Sequence, residues 1–414
     1  MRRFDAGGWF NGTVIHGLRA VETGALSSRT ALRWGVLLLP PLLAAMLVAA
    51  MTIPGSTVWP WNPNMIDLDV YTRTGTLVLQ GGDFFAAEGL PWIYPPFAAL
   101  LTVPFAVVPR TAAQVIWLTM NVAALLAILR RTGLSGWTLS LATTAAVLLV
   151  EPVRETLGFG QLGIFLVAAA VLDSMPGPRV LARRVLPEGW LTGVATAVKL
   201  TPAVIAMHNF FAGKRREGVT AFVAFCLATA LGAVLLWGPT VQYFGNLLRG
   251  QSGMNDGMPF KTNQSVMGAW ARLTGGPSAG GLLLGLAVLV LGVVTSVLVH
   301  RAGDAALGVV LAGFTSLLAS PISWSHHFVW VVPLIVLLRQ GTSLPVPTRV
   351  VGAVYALWIS TAPFQHLPGG DGAEFAYAWW QHVIANAGIV LGVVFVALCL
   401  AHGWAGRPSR RTSA

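Results

Sequence analysis

The sequence predicts an all-α, polytopic membrane protein, and three observations carry that prediction. Apolar residues make up 55% of the 414-residue chain and charged residues only 10%, where a soluble domain carries about 25% charge. Mean hydropathy is +0.70. Apolar runs of about 20 residues, the length that crosses a bilayer as a helix, recur along the chain. This composition excludes a disordered protein, a nucleic-acid-binding protein and an ordinary cytosolic enzyme. The net charge of +11 is read as a signal of membrane topology, not of nucleic acid. Cys226 and Cys399 sit in apolar runs and spell neither a disulfide framework nor a zinc site.

The first apolar run, from about Ala31 to Ile53, is too long for a signal peptide and is read as a retained first spanning helix. Further spans are predicted near 112–130, 135–150, 161–176, 219–237, 281–300, 305–319, 326–338, 347–362 and 382–403. The run 190–213 differs from these. Lys199 is costly at mid-membrane, and Pro202 interrupts the helix just beyond it. The run is therefore split into two short helices meeting at Lys199, one up and one down, which brings the total to about twelve crossings.

Charge supports the split. With the N-terminus in the cytoplasm, Arg130, Arg131, Arg179, Arg183, Arg184, the Lys214–Arg216 cluster, Arg301, Arg339, Arg349 and the C-terminal arginines fall inside. Only Arg73, Arg110, Arg154, Lys199, Arg249, Lys261 and Arg272 remain outside, as the positive-inside rule requires. Without the split, every later loop inverts. The expected organisation is one integral-membrane domain over 1–414. It has a cytoplasmic segment 1–30, a long first periplasmic loop 54–111, a second large periplasmic loop 238–280 and a cytoplasmic tail 404–414. Within the first loop, Tyr94–Pro109 reads as a re-entrant or interfacial helix, with a full crossing as the alternative. Trp59, Trp61, Trp92, Trp379 and Trp380 are expected at the outer headgroup level. No internal repeat is visible.

The unusual polar residues converge on the outer side. They are Asp67, Asp69 and Tyr71; Glu151 and Arg154; Gln161; Lys199; Asn263 and Gln264; and His326 and His327. Ionisable groups at a bilayer edge are functional candidates. Several different chemistries at one level suit a charged, hydroxyl-rich ligand. There is no Walker loop or dinucleotide fingerprint, and no nucleophile turn of a serine hydrolase. An acid can deprotonate a hydroxyl as it attacks, and a lysine, arginine or histidine can offset the charge of a leaving phosphate. That is the equipment of a transferase whose sugar is carried on a lipid phosphate. Each residue also has a plainer reading. Asp67 can be a solvated loop acid, Asp69 a helix cap and Tyr71 an interface anchor. Lys199 can snorkel to headgroups, Glu151 and Arg154 can pair with each other, and Asn263 and Gln264 can bracket a turn. His326 and His327 point in different directions, so at most one faces a reaction centre, and His327 is favoured.

Six segments carry a family resemblance: DLDVY at 67–71, YPPFAAL at 94–100, EPVRETLGFGQLGIFLVAAAVLD at 151–173, AVKLTP at 197–202, NQSVMG at 263–268 and SPISWSHHFVWVVP at 320–333. In this order they resemble the membrane-embedded GT-C glycosyltransferases. More specifically, they are similar to the family-87 polyprenol-phosphate-mannose-dependent α-1,2-mannosyltransferases of mycobacteria and relatives. The resemblance implies a GT-C architecture in the plasma (inner) membrane with the active site facing the periplasm. It implies a β-mannosyl phosphopolyprenol donor and a glycolipid acceptor of the phosphatidylinositol mannoside or lipomannan type. The α-1,2 product then arises by inversion, with one carboxylate base, Asp67. His327 and His326 join it as catalytic candidates. Lys199 and Arg154 are expected at the donor phosphate, and Asp69, Tyr71, Glu151, Gln161, Asn263 and Gln264 at sugar or acceptor. No cofactor and no metal is implied, since Asp67 and Asp69 diverge on a strand and align only partly on a helix. The chain departs from the family after DLDVY. Thr72–Leu90 is short, lacks a Gly-x-x-Leu-Tyr ending and reads GGDFFAAEGL, which bears on the acceptor more than on the reaction. Two other functions are weighed. One is a related lipid-linked arabinofuranosyltransferase; the other is a transporter or flippase, against which the missing repeat and the outer-edge polar groups count.

Overall fold

A computed structural model describes residues 28–181, 183–250 and 254–405. The expected cytoplasmic segment 1–30, save its last residues, and nearly all of the expected tail 404–414 lie outside the described residues. The apolar runs fold as helices α1 (Ser28–Met51), α2 (Ile66–Gln80), α3 (Pro96–Ala106), α4 (Arg110–Arg131), α5 (Gly136–Leu149), α6 (Glu151–Phe159), α7 (Gly163–Ser174), α8 (Trp190–Val198) and α9 (Ala203–Phe211). They continue as α10 (Arg215–Leu235), α11 (Trp237–Leu248), α12 (Val266–Thr274), α13 (Ala279–Arg301), α14 (Ala305–Leu318), α15 (Val331–Gln340), α16 (Val346–Thr361) and α17 (Trp379–Ala405). Among the described residues, strand-like pairing is confined to two isolated bridges, Thr57 with Asn62 and Asn263 with Trp324.

Among the described residues four helices, α4, α10, α13 and α17, are long and apolar enough to cross a membrane, and α5 with α6, bent by 78°, makes a fifth if the pair is one span. The chain is a multi-pass membrane protein. Its core centres on α14, which is buried continuously from Leu307 to Leu318. A helix that is apolar all round belongs in the middle of a bundle. Its N-terminus is capped by Asp304, whose carboxylate accepts from the Leu307 N–H.

The run holding Lys199 folds as a hairpin. Gly189 lies against Glu217, Gly193 against Ala221, and Ala197 clusters with Ala228, so α8 runs parallel to α10. Phe210 lies against Gly218, so α9 returns antiparallel to it. Lys199 thus sits at the tip, in extended backbone between the arms. The expected up-and-down split is present, but each arm has 9 residues. That is about 13.5 Å of helix, under half of a hydrocarbon core about 30 Å thick. Neither arm is long enough to cross a membrane by itself, and among the described residues the helices that are long and apolar enough number four, or five if the bent pair is one span, fewer than the expected crossings. The same arithmetic applies to α3, whose 11 residues fall short of a full span.

One element was not anticipated. Residues 66–80 fold as a helix, because Leu68, Tyr71 and Gly75 share one face and bury it against α3. The Cβ that Gly75 lacks would stand 2.8 Å from the Thr102 carbonyl oxygen. Helix α2 also meets α4, where the Tyr71 and Trp117 rings lie 5.5 Å apart. Trp59 and Trp379 are exposed, as interfacial anchors should be, whereas Trp92 is buried between Tyr71 and Phe84 and is a core residue.

Candidate active site

Asp67 lies in the first turn of α2, outside the spanning helices. The positive end of that helix favours an acid there. Its surroundings are set by a reversal at the end of α6. Gly160 adopts a left-handed φ of 72° and sits so close to α2 that a Cβ would stand 2.7 Å from Leu68 Cβ. Only glycine meets both demands. The reversal turns Gln161 toward α2. There its side-chain oxygen accepts from the Tyr71 hydroxyl at 3.0 Å and from the Tyr94 hydroxyl at 3.2 Å. With that oxygen occupied, the amide is left to hydrogen-bond to Asp67. Burial raises the Asp67 carboxyl from 3.8 to about 6, with the Gln161 bond and the Lys199 charge pulling the other way.

Across from Asp67 stands the hairpin tip. Lys199 Nζ is 2.8 Å from His327 Nε2 and 5.6 Å from the centre of the Tyr94 ring. An ammonium has only protons to give, so it donates to the imidazole nitrogen and keeps its other protons free. His327 Nδ1 and His326 Nε2 are buried with no hydrogen-bond partner among the described residues. Both histidines lie on a tight 3₁₀ turn, Ser325–Trp330. Thr156 Oγ1 fixes the His326 carbonyl at 2.9 Å, and the His326 ring packs edge-on against Phe159 at 5.6 Å. As expected, the two rings diverge, and His327 is the one that reaches Lys199. Behind the pair is a narrow cavity of about 30 Å³ bordered by Gly163, Pro202, Ser316 and Trp330, room for water only. On the far face of α9 an open apolar groove of about 550 Å³ begins at Leu200, next to Lys199, and runs along Ala203, Met207 and Phe210 against Phe222 and Phe225.

The structure thus brings Asp67, Gln161, Lys199 and His327 to one place, with His326 beside them. Other expected site residues have different partners. Asp69, two positions on and so on the opposite side of α2, holds Arg110 at 3.0 and 2.9 Å, and the same guanidinium ties down Asn64. Tyr71 is 1% exposed; it neither lines an open site nor anchors at the interface, and its hydroxyl orients Gln161. Asn263 spans the Met258 and Pro321 carbonyls and the Ser323 N–H. The Gln264 amide donates to Lys261 and Ala385 carbonyls. Both are fully buried and brace the loop instead of presenting amides to a sugar. Glu151 accepts from Ser325 and Gln365. It forms no ion pair with Arg154, which is exposed. Tyr94 and Gln365 were missed as individual residues. Tyr94 does open one of the singled-out segments, but nothing local marks it as a partner of Gln161.

Among the described residues, no group of three His, Cys, Asp or Glu side chains could hold a metal ion. What the site offers is a poised carboxylate facing a cation and imidazoles, beside an apolar groove. The family profile of glycosyltransferase family 87 matches residues 92–321. A polyprenol-phosphate-mannose-dependent α-(1-2)-phosphatidylinositol mannoside mannosyltransferase of Mycobacterium tuberculosis (strain H37Rv) is 30% identical over 81% of this chain and 85% of its own length. A polyprenol-phosphate-mannose-dependent α-(1-2)-phosphatidylinositol pentamannoside mannosyltransferase of M. tuberculosis (strain CDC 1551) is 33% identical over 75% of each chain. A Mycolicibacterium smegmatis enzyme with the former description is 27% identical over 86% of this chain and 91% of its own. No solved structure matches the chain significantly. A profile spanning more than half of the sequence, and relatives aligned along most of their length, establish that this chain belongs to glycosyltransferase family 87.

Proposed function

We propose that the protein transfers mannose from a polyprenyl-phosphate-mannose donor to a mannosylated phosphatidylinositol-type glycolipid, forming an α-1,2 linkage with inversion. Asp67 takes the proton of the attacking hydroxyl. Lys199 and His327 hold the donor phosphate and offset the charge that develops as the phosphate–sugar bond breaks. His326 packs against His327, and the exposed Arg154 is assigned to the phosphate or a headgroup. The observation that carries this reading is that the Asp67 carboxylate lies within electrostatic reach of Lys199, whose Nζ is 2.8 Å from His327 Nε2. The groove beginning at Leu200 suits an isoprenoid tail bound to that phosphate. The mannose donor and the phosphatidylinositol-linked acceptor come from the printed descriptions of the relatives.

The proposed setting is the plasma membrane in a GT-C architecture, with the site on the periplasmic side and segments 54–111 and 238–280 exposed there. Segments 1–30 and 404–414 lie in the cytoplasm. The positive-inside distribution supports this orientation, as does the hairpin, which returns Lys214–Arg216 to the side from which α8 entered. The departing segment after α2 reaches across to the second loop, where Phe85 stacks on Tyr243 with centroids 6.4 Å apart. This contact is where acceptor preference is expected to be set.

Donor competition tests the reaction class. Purified protein should use mannosyl phosphopolyprenol and not the arabinosyl lipid; the reverse preference would make it an arabinofuranosyltransferase, and transport without transfer a flippase. The pH profile tests the base. Because the Asp67 carboxyl lies at about 6 and must be ionised to accept a proton, kcat/KM should rise with pH through that value. A profile flat from pH 5 to 7.5 would contradict the assignment.

A further inference from the structure

The turn that carries the histidines is held by side chains to which the reaction above gives no task. Glu151, the first residue of α6, uses a single oxygen twice. Its Oε1 accepts from Ser325 Oγ at 2.7 Å and from Gln365 Nε2 at 2.7 Å. Ser325 immediately precedes His326. Gln365 lies on a separate 3₁₀ turn, Pro363–His366. Its own carbonyl accepts from Lys261 Nζ at 2.8 Å. Thr156, further along α6, takes the His326 carbonyl. Helix α6 therefore grips the Ser325–His326 dipeptide at two points.

Glu151 is an unusual choice for this place. It is 4% exposed and makes no ion pair among the described residues, and burying an unpaired carboxylate is costly. Both of its partners are neutral donors, so an acceptor oxygen is all that the arrangement demands. What the three side chains fix is the seat of the next two residues. One of them, His327, must keep its Nε2 within 2.8 Å of Lys199.

We propose that Glu151, Ser325 and Gln365 form one positioning unit. The Glu151 oxygen ties the histidine turn to the Pro363–His366 turn and so sets the His327–Lys199 geometry that receives the donor phosphate. The inference rests on the role given above to Lys199 and His327. Glu151, expected from the sequence at sugar or acceptor, acts here through the histidines instead.

The test uses the full chain in lipid nanodiscs, with mannosyl phosphopolyprenol as donor and a phosphatidylinositol mannoside as acceptor. Glu151→Gln can offer its amide oxygen to the same two donors, and it should stay within about threefold of the parent. Glu151→Ala should lower kcat/KM for the donor by about 10²-fold, the scale of an ångström's misplacement, with the acceptor KM unchanged. Ser325→Ala and Gln365→Ala should each cost about tenfold, and neither should add to Glu151→Ala, because the shared oxygen is already gone. If Glu151→Gln is as damaged as Glu151→Ala, the charge itself acts on substrate and the proposal is overturned. Additive losses in the double variants would overturn it equally. Should Glu151→Ala fail to fold, Glu151→Gln and the Ser325→Ala/Gln365→Ala pair decide alone. No transfer by the parent protein would instead reject the proposed reaction, separately from the clamp.

Discussion

Asp67→Asn is expected to lower the rate of mannosyl transfer by about 10²–10⁴-fold, the usual contribution of a general base, while the protein still folds and still binds donor. The substitution keeps the shape of the side chain and an oxygen to accept from the Gln161 amide. It removes only the capacity to take a proton. Stability should not fall, and the linkage sign says why. Burial raises the folded-state carboxyl to about 6, so the protonated acid is the form the fold prefers. Its favourable contribution is present below the unfolded value and is lost as pH rises to about 6. At neutral pH the ionised Asp67 therefore weakens the fold, and an amide there relieves the strain. A site that keeps a destabilising carboxylate suggests that the carboxylate is needed for chemistry. Steady-state turnover and a thermal unfolding curve on the same preparation check both halves. Asp69→Asn, by contrast, should cost about threefold or less, since an ion pair this exposed contributes little.

Lys199→Met is expected to lower kcat/KM for the donor by about 10²–10³-fold, as loss of one preorganised group stabilising transition-state charge does elsewhere. Methionine fills a similar volume and leaves the hairpin tip in place. The acceptor KM should change little, and free polyprenyl phosphate should cease to compete with donor. Lys199→Arg is not a conservative rescue. The planar guanidinium needs lateral room, and the tip is enclosed by His327 on one side and the Tyr94 ring on the other. Near-normal turnover by Lys199→Met would remove the phosphate from this position.

How far the sequence reached can be judged from these same residues. The lysine was conspicuous because a charge inside an apolar run has few excuses, and Pro202 marked the break beside it. What hydropathy does not record is depth. The runs flanking Lys199 look like halves of two spans, and only the contacts of Gly189, Gly193 and Phe210 with α10 reveal a hairpin of two short arms. Asp67 and Asp69 are given different tasks in the sequence by the family resemblance, not by anything local. Helical geometry separates them, and residues 66–80 became visible as a helix only once their buried face met α3. Tyr94 and Gln161 are 67 positions apart, and Glu151 and Gln365 are 214 apart. Such pairings belong to tertiary structure and leave no local pattern. Asn263 and Gln264 illustrate the opposite failure. Polar side chains next to each other in an outer loop resemble a sugar site, yet buried backbone groups of an irregular loop need partners too, and here that demand takes both amides.

The central claim is that one carboxylate drives a hydroxyl directly onto a lipid-borne mannose from the face opposite the phosphate. Its most direct test is the anomeric configuration and linkage of the product made from β-mannosyl phosphopolyprenol by the purified protein, read by NMR. A single new α-1,2-mannosyl residue, formed by the parent protein and not by Asp67→Asn, is the expected result. A β-linked product, or an α-product made equally well without the Asp67 carboxylate, would contradict the account.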